Sequence, residues 1–323
     1  MISSVCFSAS ALVINDGDFG YELDSSKHEA TLVSYIGSGG IVQIPDYFQG
    51  YPVTTIDRNA FIGNEKITEI VFPNTTTKVE EYSFMNCTSL ESVYIPENVV
   101  NFGDRVFAGC TSLENVTMLS DIVSMPTNMF LDCVSLSNLT INENIVEFGY
   151  GCFNGCSSLA DLSFVENAAI INSYAFNGTS AEEVVLSDSL LAIPNYAFTN
   201  CSNLKYVTIP ESVIFIQPYA FDYDNIIIRC YYDSYAYYFA TENKLPHIII
   251  DESKLGDVNF DGVVDVFDAT EIQKYAAEST DFTDEQFELG DINKDGYCDV
   301  IDALLVQKRV VGKYDIPPII IRY

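Results

Sequence analysis

The sequence predicts an α+β multidomain protein: a solenoid with one short strand per turn, followed by a small helical module built around two acidic loops. Two observations carry this. Phe recurs at positions 61, 84, 107, 130, 153, 176, 198 and 221, a step of 23 residues broken once by a step of 22. Beyond Asp251 a twelve-residue segment of another kind, Asp257 to Asp268, returns 34 residues later as Asp291 to Asp302.

A unit of about 23 residues cannot bury an apolar face alone, so it must stack on copies of itself at about 4.8 Å per rung. The columns of such a stack are visible. Three residues after the Phe come Cys87, Cys110, Cys133, Cys156 and Cys201, and six after it Leu90, Leu113, Leu136, Leu159 and Leu204. Val93, Val116, Leu139, Leu162 and Val207 then alternate with Ile95, Met118, Ile141, Phe164 and Ile209, which marks a short strand in each turn. Alternation sends these residues inward. It leaves Ser92 and Tyr94, Asn115 and Thr117, Asn138 and Thr140, Asp161 and Ser163, and Tyr206 and Thr208 on the outer face. That Thr-rich face suits hydrogen-bonded recognition of a protein or carbohydrate ligand, against the alternative of a merely solvated sheet.

Each rung supplies one Cys with no pairing partner of its own, so the column reads as reduced thiols acting as small buried hydrophobes. Cys152 stands out of column, and its spacing to Cys156 imitates a redox or metal pair. No other Cys or His pair lies nearby to complete such a site. The Phe176 rung departs from the pattern: Thr179 replaces Cys, one residue is missing, and Ala181-Glu182-Glu183 holds no Leu. A local irregularity is expected there.

Ala108-Gly109-Cys110-Thr111-Ser112-Leu113-Glu114-Asn115-Val116 and Asn195 to Leu204 resemble the BspA-type leucine-rich repeat family, and the likeness runs from about Phe19 to Ile250. Ile44-Pro45 and Gly50 to Ile56 resemble its first rung, and Ser234 to Asn243 its last. The expected repeat domain, with its caps, is 14–250. Before it, residues 1–13 are apolar, and Ser8-Ala9-Ser10-Ala11 resembles a signal-peptidase site without a basic leader. This reads as a signal-peptide remnant, and the protein as exported.

Residues 251–323 hold 17 acidic and 7 basic side chains. They divide into a linker at 251–255, a module at 256–314 and a tail at 315–323. Oxygen donors at loop positions 1, 3, 5, 9 and 12, with Gly at 6 for the sharp turn, are what a hard divalent cation demands. Four Asp in each loop would repel one another without it. Both loops end in Asp where a standard EF-hand has Glu. Together with Asp268 to Tyr275 and Asp302 to Arg309 they resemble a type I dockerin, of the ruminococcal cellulosome kind.

That resemblance implies two Ca2+ ions. One is held by the side chains of Asp257, Asn259, Asp261 and Asp268 and the Val263 carbonyl, with Asp265 acting through water. The other is held in the same way by Asp291, Asn293, Asp295, Asp302, the Tyr297 carbonyl and Asp299. It also implies a cohesin partner on a scaffoldin, contacted through Val266, Phe267, Gln273 and Lys274 and through Val300, Ile301, Gln307 and Lys308. Clostridial dockerins usually carry Ser-Thr where this chain has the apolar pairs, which bears on the cohesin class. Burial against the neighbouring helix is the competing account of those pairs. Their near-identity suggests two binding orientations.

Other functions are excluded or weakened by composition. With 15 Lys+Arg against 46 Asp+Glu, a formal charge of −31, the chain is no binder of nucleic acid. No apolar run approaches the roughly 18 residues of a membrane span. His28 and His247 have no Ser or Cys motif about them, the chain has no Trp, and no carboxylate pair can be nominated for glycoside hydrolysis. The sequence therefore reads as a non-catalytic, secreted binding protein, cellulosome- or cell-surface-associated in a bacterium. The contending class is an enzyme accessory or inhibitor with its active surface on the solenoid.

Overall fold

The computed structural model describes residues 12–224, 226–232, 234–250, 255–293, 295–312 and 319–321. The expected signal-peptide remnant lies outside them up to residue 11, and the expected linker up to residue 254. By contact the chain forms two compact units, residues 1–204 with 215–222 and residues 205–214 with 223–323.

The first unit opens with antiparallel strands Ile14–Asp16, Phe19–Asp24 and Glu29–Tyr35, the last of which turns parallel against Tyr51–Ile56. From there, among the described residues of this unit, the strands pair in parallel apart from one short hairpin, Tyr47–Phe48 with Tyr51–Ile56, as stacked identical turns require. Gly40–Gln43, Ile67–Val71, Ser92–Ile95, Asn115–Met118 and Asn138–Ile141 form one five-stranded sheet. Its register aligns Ser92 with Asn115 and Asn138, Val93 with Val116 and Leu139, and Tyr94 with Thr117 and Thr140. A second column consists of two-residue strands, such as Ser124–Met125, Glu147–Phe148 and Ile170–Ile171, paired rung to rung.

The interior is a ladder of rings. From Phe61 to Phe221 successive Phe rings stack 4.8 to 5.8 Å apart with planes within 14° of one another. Offset stacking adds to the large apolar area each ring buries. The backbone locks the same repeat: the N–H of Phe107 donates to Met129 O, and that of Phe130 to Cys152 O. The Cys column closes the loop in the other direction. The thiols of Cys87, Cys110, Cys133, Cys156 and Cys201 donate to the carbonyls of Phe61, Phe84, Phe107, Phe130 and Phe176 at 3.1 to 3.2 Å. All eight described cysteines are free and buried. Burial pushes the thiols of Cys133, Cys152 and Cys156 well up, so Cys152 and Cys156 are poor thiolates and poor metal ligands.

The strand expected through Leu162 and Phe164 does not form. The chain winds instead into a 3-10 turn, Ser163–Asn167, begun where the Ser163 N–H donates to Asp161 Oδ1 at 2.9 Å. Phe164 is bulkier than the Ile or Met at its position in other rungs. It lies half-buried against Phe148 and Phe153, and Val165 takes the inward place, fully buried. The irregularity thus falls in the Phe153 rung, one before the rung where it was expected. The Phe176 rung keeps a strand, Glu183–Val185, and buries Ala181 in place of Leu. Thr179 is buried there, its hydroxyl donating to Phe176 O at 3.0 Å and standing 3.4 Å from Cys201 Sγ.

Two residues before each Phe the backbone is left-handed. Asn59, Tyr82, Arg105, Asn128, Gly151, Tyr174, Tyr196 and Tyr219 have φ from 53° to 64°. Asn and Gly adopt this region readily. For Tyr and Arg it costs on the order of 1 kcal/mol each.

In the second unit Tyr206–Thr208, Ile227–Cys230 and His247–Ile249 continue as parallel strands, and Ile319–Ile321 adds an antiparallel one to the last. Among the described residues the unit's helices are, in chain order, α1 Tyr235–Glu242, which precedes the His247–Ile249 strand, α2 Val266–Ala276, α3 Asp284–Gly290 and α4 Val300–Val310. Helices α2 and α4 pack against each other, and Ala269, Ile272, Ala303 and Val306 on them are buried. Contacts inside the unit tie its closing turns to its helices, since the Tyr237 hydroxyl donates to Glu288 Oε2.

Candidate cation loops and partner-facing surfaces

The two acidic loops fold alike because their side chains bond their own backbones. In the first, Asp257 Oδ2 accepts from Gly262 N at 2.9 Å, Asn259 Oδ1 from Asp261 N at 2.8 Å, and Asp261 Oδ1 from Val263 N at 2.9 Å. In the second, Asp291 Oδ2 accepts from Gly296 N at 3.0 Å, Asn293 Oδ1 from Asp295 N at 2.9 Å, and Asp295 Oδ1 from Tyr297 N at 3.0 Å. Gly262 and Gly296 turn the chain with φ of 85° and 86°, a conformation that favours a residue without Cβ.

Each loop runs straight into a helix. Asp265 caps α2, accepting from Phe267 N at 2.6 Å, while Asp268 bonds back to Asp265 N at 2.9 Å. Asp299 and Asp302 repeat this at α4, at 2.7 and 2.9 Å. The ninth loop residue therefore serves also as the N-cap of the helix it precedes. Asp268 and Asp302 are fully buried, and Asp257 and Asp291 nearly so. Burial holds the Asp268 carboxyl above the usual carboxylate range, and the charges of Asp257 and Asp265 push it the same way. Asp302 is raised too, first by burial and then by Asp299.

Among the described residues no three acidic, imidazole or thiol groups converge tightly enough to hold a metal ion as they stand. The donor chemistry nonetheless fits one: only oxygen donors, two buried carboxylates per loop, and exposed side chains at Val263 and Tyr297, where a carbonyl would serve.

The apolar pairs after the loops are not buried. Val266, Phe267, Val300 and Ile301 are 52, 67, 62 and 51% exposed, which removes packing against the neighbouring helix as their explanation. Gln273, Lys274 and Lys308 are exposed and Gln307 is half-buried. Lys274 Nζ lies 2.6 Å from Glu271 Oε1, a solvent-exposed pair worth little. Sequence reading missed Leu304, exposed one turn after Val300 on α4, where α2 has Thr270. The signal was available, since Leu304 lies four residues after Val300 and so shares its face of the helix.

On the solenoid sheet Tyr94 stands out at a groove of about 570 Å³ lined by Gln43, Asp46, Glu69 and Asn74. Ser92, Asn115, Thr117, Asn138 and Thr140 face outward as expected, and Asn138 Nδ2 donates to Asn115 Oδ1 at 2.9 Å. The 3-10 turn gathers Thr140, Asp161 and Ser163 around a smaller recess of about 320 Å³. In the second unit Tyr206 and Thr208 are half-buried, and the Arg229 guanidinium sits 4.3 Å over the Tyr206 ring. Tyr206 is thus a covered ring, unlike the open aromatic expected.

With the geometry in place, the chain matches the family described as the BspA type leucine rich repeat region (6 copies), over residues 54–180, 124–241 and 169–260. Residues 255–311 match the dockerin type I domain. The protein belongs to the BspA-type leucine-rich repeat family and carries a C-terminal type I dockerin. Among solved structures it is similar to a leucine rich cell surface protein from Faecalibacterium prausnitzii, at 22% identity and TM-score 0.46, covering 66% of this chain and 74% of that one. A leucine rich repeat protein of T. pallidum, at 22% identity and TM-score 0.49, covers 63% of this chain and 85% of its own. No curated protein matches the chain. Type I dockerins bind calcium and pair with cohesins, and no helix among the described residues is long and apolar enough to cross a membrane.

Proposed function

We propose that the chain is a non-catalytic binding protein that works outside the cell, tethered to a scaffoldin by calcium-dependent cohesin binding and presenting its solenoid to a target. The observation that carries this is the repeated placement of an exposed apolar pair, Val266-Phe267 and Val300-Ile301, at the first turn of a helix capped by an acidic loop. Asp257, Asn259, Asp261, Asp268, the Val263 carbonyl and water-mediated Asp265 would hold one ion. Asp291, Asn293, Asp295, Asp302, the Tyr297 carbonyl and Asp299 would hold the second. Each cation neutralises four crowded carboxylates and so fixes the start of the helix that meets the partner. Two such starts of nearly the same chemistry support cohesin binding in either of two orientations. The target face is the polar sheet around Tyr94, with the recess at Thr140, Asp161 and Ser163 as its second part.

The test is retention of the full chain on immobilised cohesin modules from ruminococcal scaffoldins. Retention in calcium and release by EDTA is the expected result. Passage through every module, or retention indifferent to EDTA, contradicts the reading.

A further inference from the structure

Neither the sheet face nor the paired loops accounts for a row of tyrosines beside the narrow strand column of the first unit. Tyr174 and Tyr196 stack at 4.8 Å, and Tyr196 and Tyr219 at 5.5 Å with planes 3° apart. Tyr150 joins the row at 5.4 Å, tilted, and the two end members, Tyr150 and Tyr219, are 48 and 62% exposed. Tyr174, Tyr196 and Tyr219 occupy the left-handed backbone position where other rungs place Asn59, Tyr82, Arg105, Asn128 and Gly151. Three consecutive rungs thus hold a bulky residue where the backbone disfavours one, and the Phe ladder already fills the interior. Strain kept in this way points to a surface role.

The row does not end blindly. Tyr150 borders a groove of about 520 Å³ whose walls include Phe102, Asp104, Glu147 and Asn172. That groove shares Phe102, Ser124 and Pro126 with a second one of about 500 Å³. Together they make a strip that crosses successive rungs, with phenol edges at one end and carboxylate acceptors along it. Stacking covers the ring faces of Tyr196, so it presents its edge and hydroxyl.

We propose that this strip binds an extended, neutral β-linked glycan lying along the solenoid, about one sugar per rung, with the phenols and the Asp104 and Glu147 carboxylates taking its hydroxyls. The period argues for it. An extended peptide advances about 3.3 Å per residue and falls out of step with the rungs at once, whereas a β-1,4-linked pyranose chain advances by nearly one rung per sugar. Charge argues for neutrality, because a chain with a formal charge of −31 repels a uronate polymer. This names a ligand class and a face that the proposed function leaves open, and it stands apart from the sheet around Tyr94.

The experiment is native gel retardation of the full chain by hydroxyethyl cellulose, xylan and galactomannan, with polygalacturonate as the acidic comparison. At least one neutral glycan retards the wild type, polygalacturonate does not, and the double change Tyr174→Asn with Tyr196→Asn weakens binding roughly tenfold or more. Asn relieves the left-handed backbone strain while removing the ring stacking, and an unchanged circular dichroism spectrum at the assay temperature shows that the loss is not unfolding. A Tyr94→Ala variant binds these glycans as wild type, which separates this strip from the sheet face. No retardation by any of the three, equal retardation of the double variant, or stronger retardation by polygalacturonate overturns the proposal.

Discussion

Withdrawing calcium is expected to unfold the helices of residues 256–314 and leave the melting of the repeat rungs in place. The cause lies in buried charge. Asp268 and Asp302 are fully buried, with Asp257 and Asp291 almost so, and each loop packs four Asp into twelve residues. Their N–H bonds satisfy some lone pairs, but like charges removed from water remain costly without a cation. The apolar core available in compensation is small, centred on Val258, Ala269, Ile272, Leu289, Ala303 and Val306. A module of about 60 residues rarely folds firmly on such a core without a staple. An ion bound only by the folded form supplies one, about 4 kcal/mol for each site at a thousandfold excess over its Kd. Calorimetry of the full chain is expected to show a transition that calcium raises and EDTA abolishes, beside one that neither changes. A thermogram indifferent to EDTA contradicts the assignment of the loops.

The second large effect is the double change Phe267→Asp with Ile301→Asp, which is expected to abolish cohesin binding while calcium affinity stays intact. Both side chains project into solvent. A central apolar contact at an interface is worth about 2 kcal/mol or more, and a buried unpaired carboxylate in its place adds a penalty. Single variants are expected to bind, because the second orientation presents the intact pair. The two presentations are not identical, since Leu304 extends the apolar face of α4 and Thr270 interrupts that of α2. Unaltered affinity in the double variant, measured by titration calorimetry, contradicts the placement of the interface.

The columns that repeat every rung were legible because period is the strongest signal a sequence holds. Phe107, Cys110, Leu113 and Val116 recur at fixed offsets, and the structure aligns each with its neighbour in the stack. The loop positions were legible for the same reason, through their duplication. What escaped depends on contacts that no period announces. The two-residue strands, such as Glu147–Phe148, are too short to alternate. The tyrosine row hides behind Tyr82, Arg105, Asn128 and Gly151 at the same left-handed position, a column defined by backbone angle and not by residue type. The strand lost at Leu162 turned on the bulk of Phe164, and the covering of Tyr206 on an Arg229 one rung away.

The account rests on the two loops acting as a matched pair of cation sites, and the most direct measurement is the calcium bound per chain after equilibrium dialysis. Two ions are predicted for the wild type, and one for a variant carrying Asp257→Ala with Asp261→Ala. A wild-type chain that retains no calcium, or holds one ion that those changes leave in place, contradicts it.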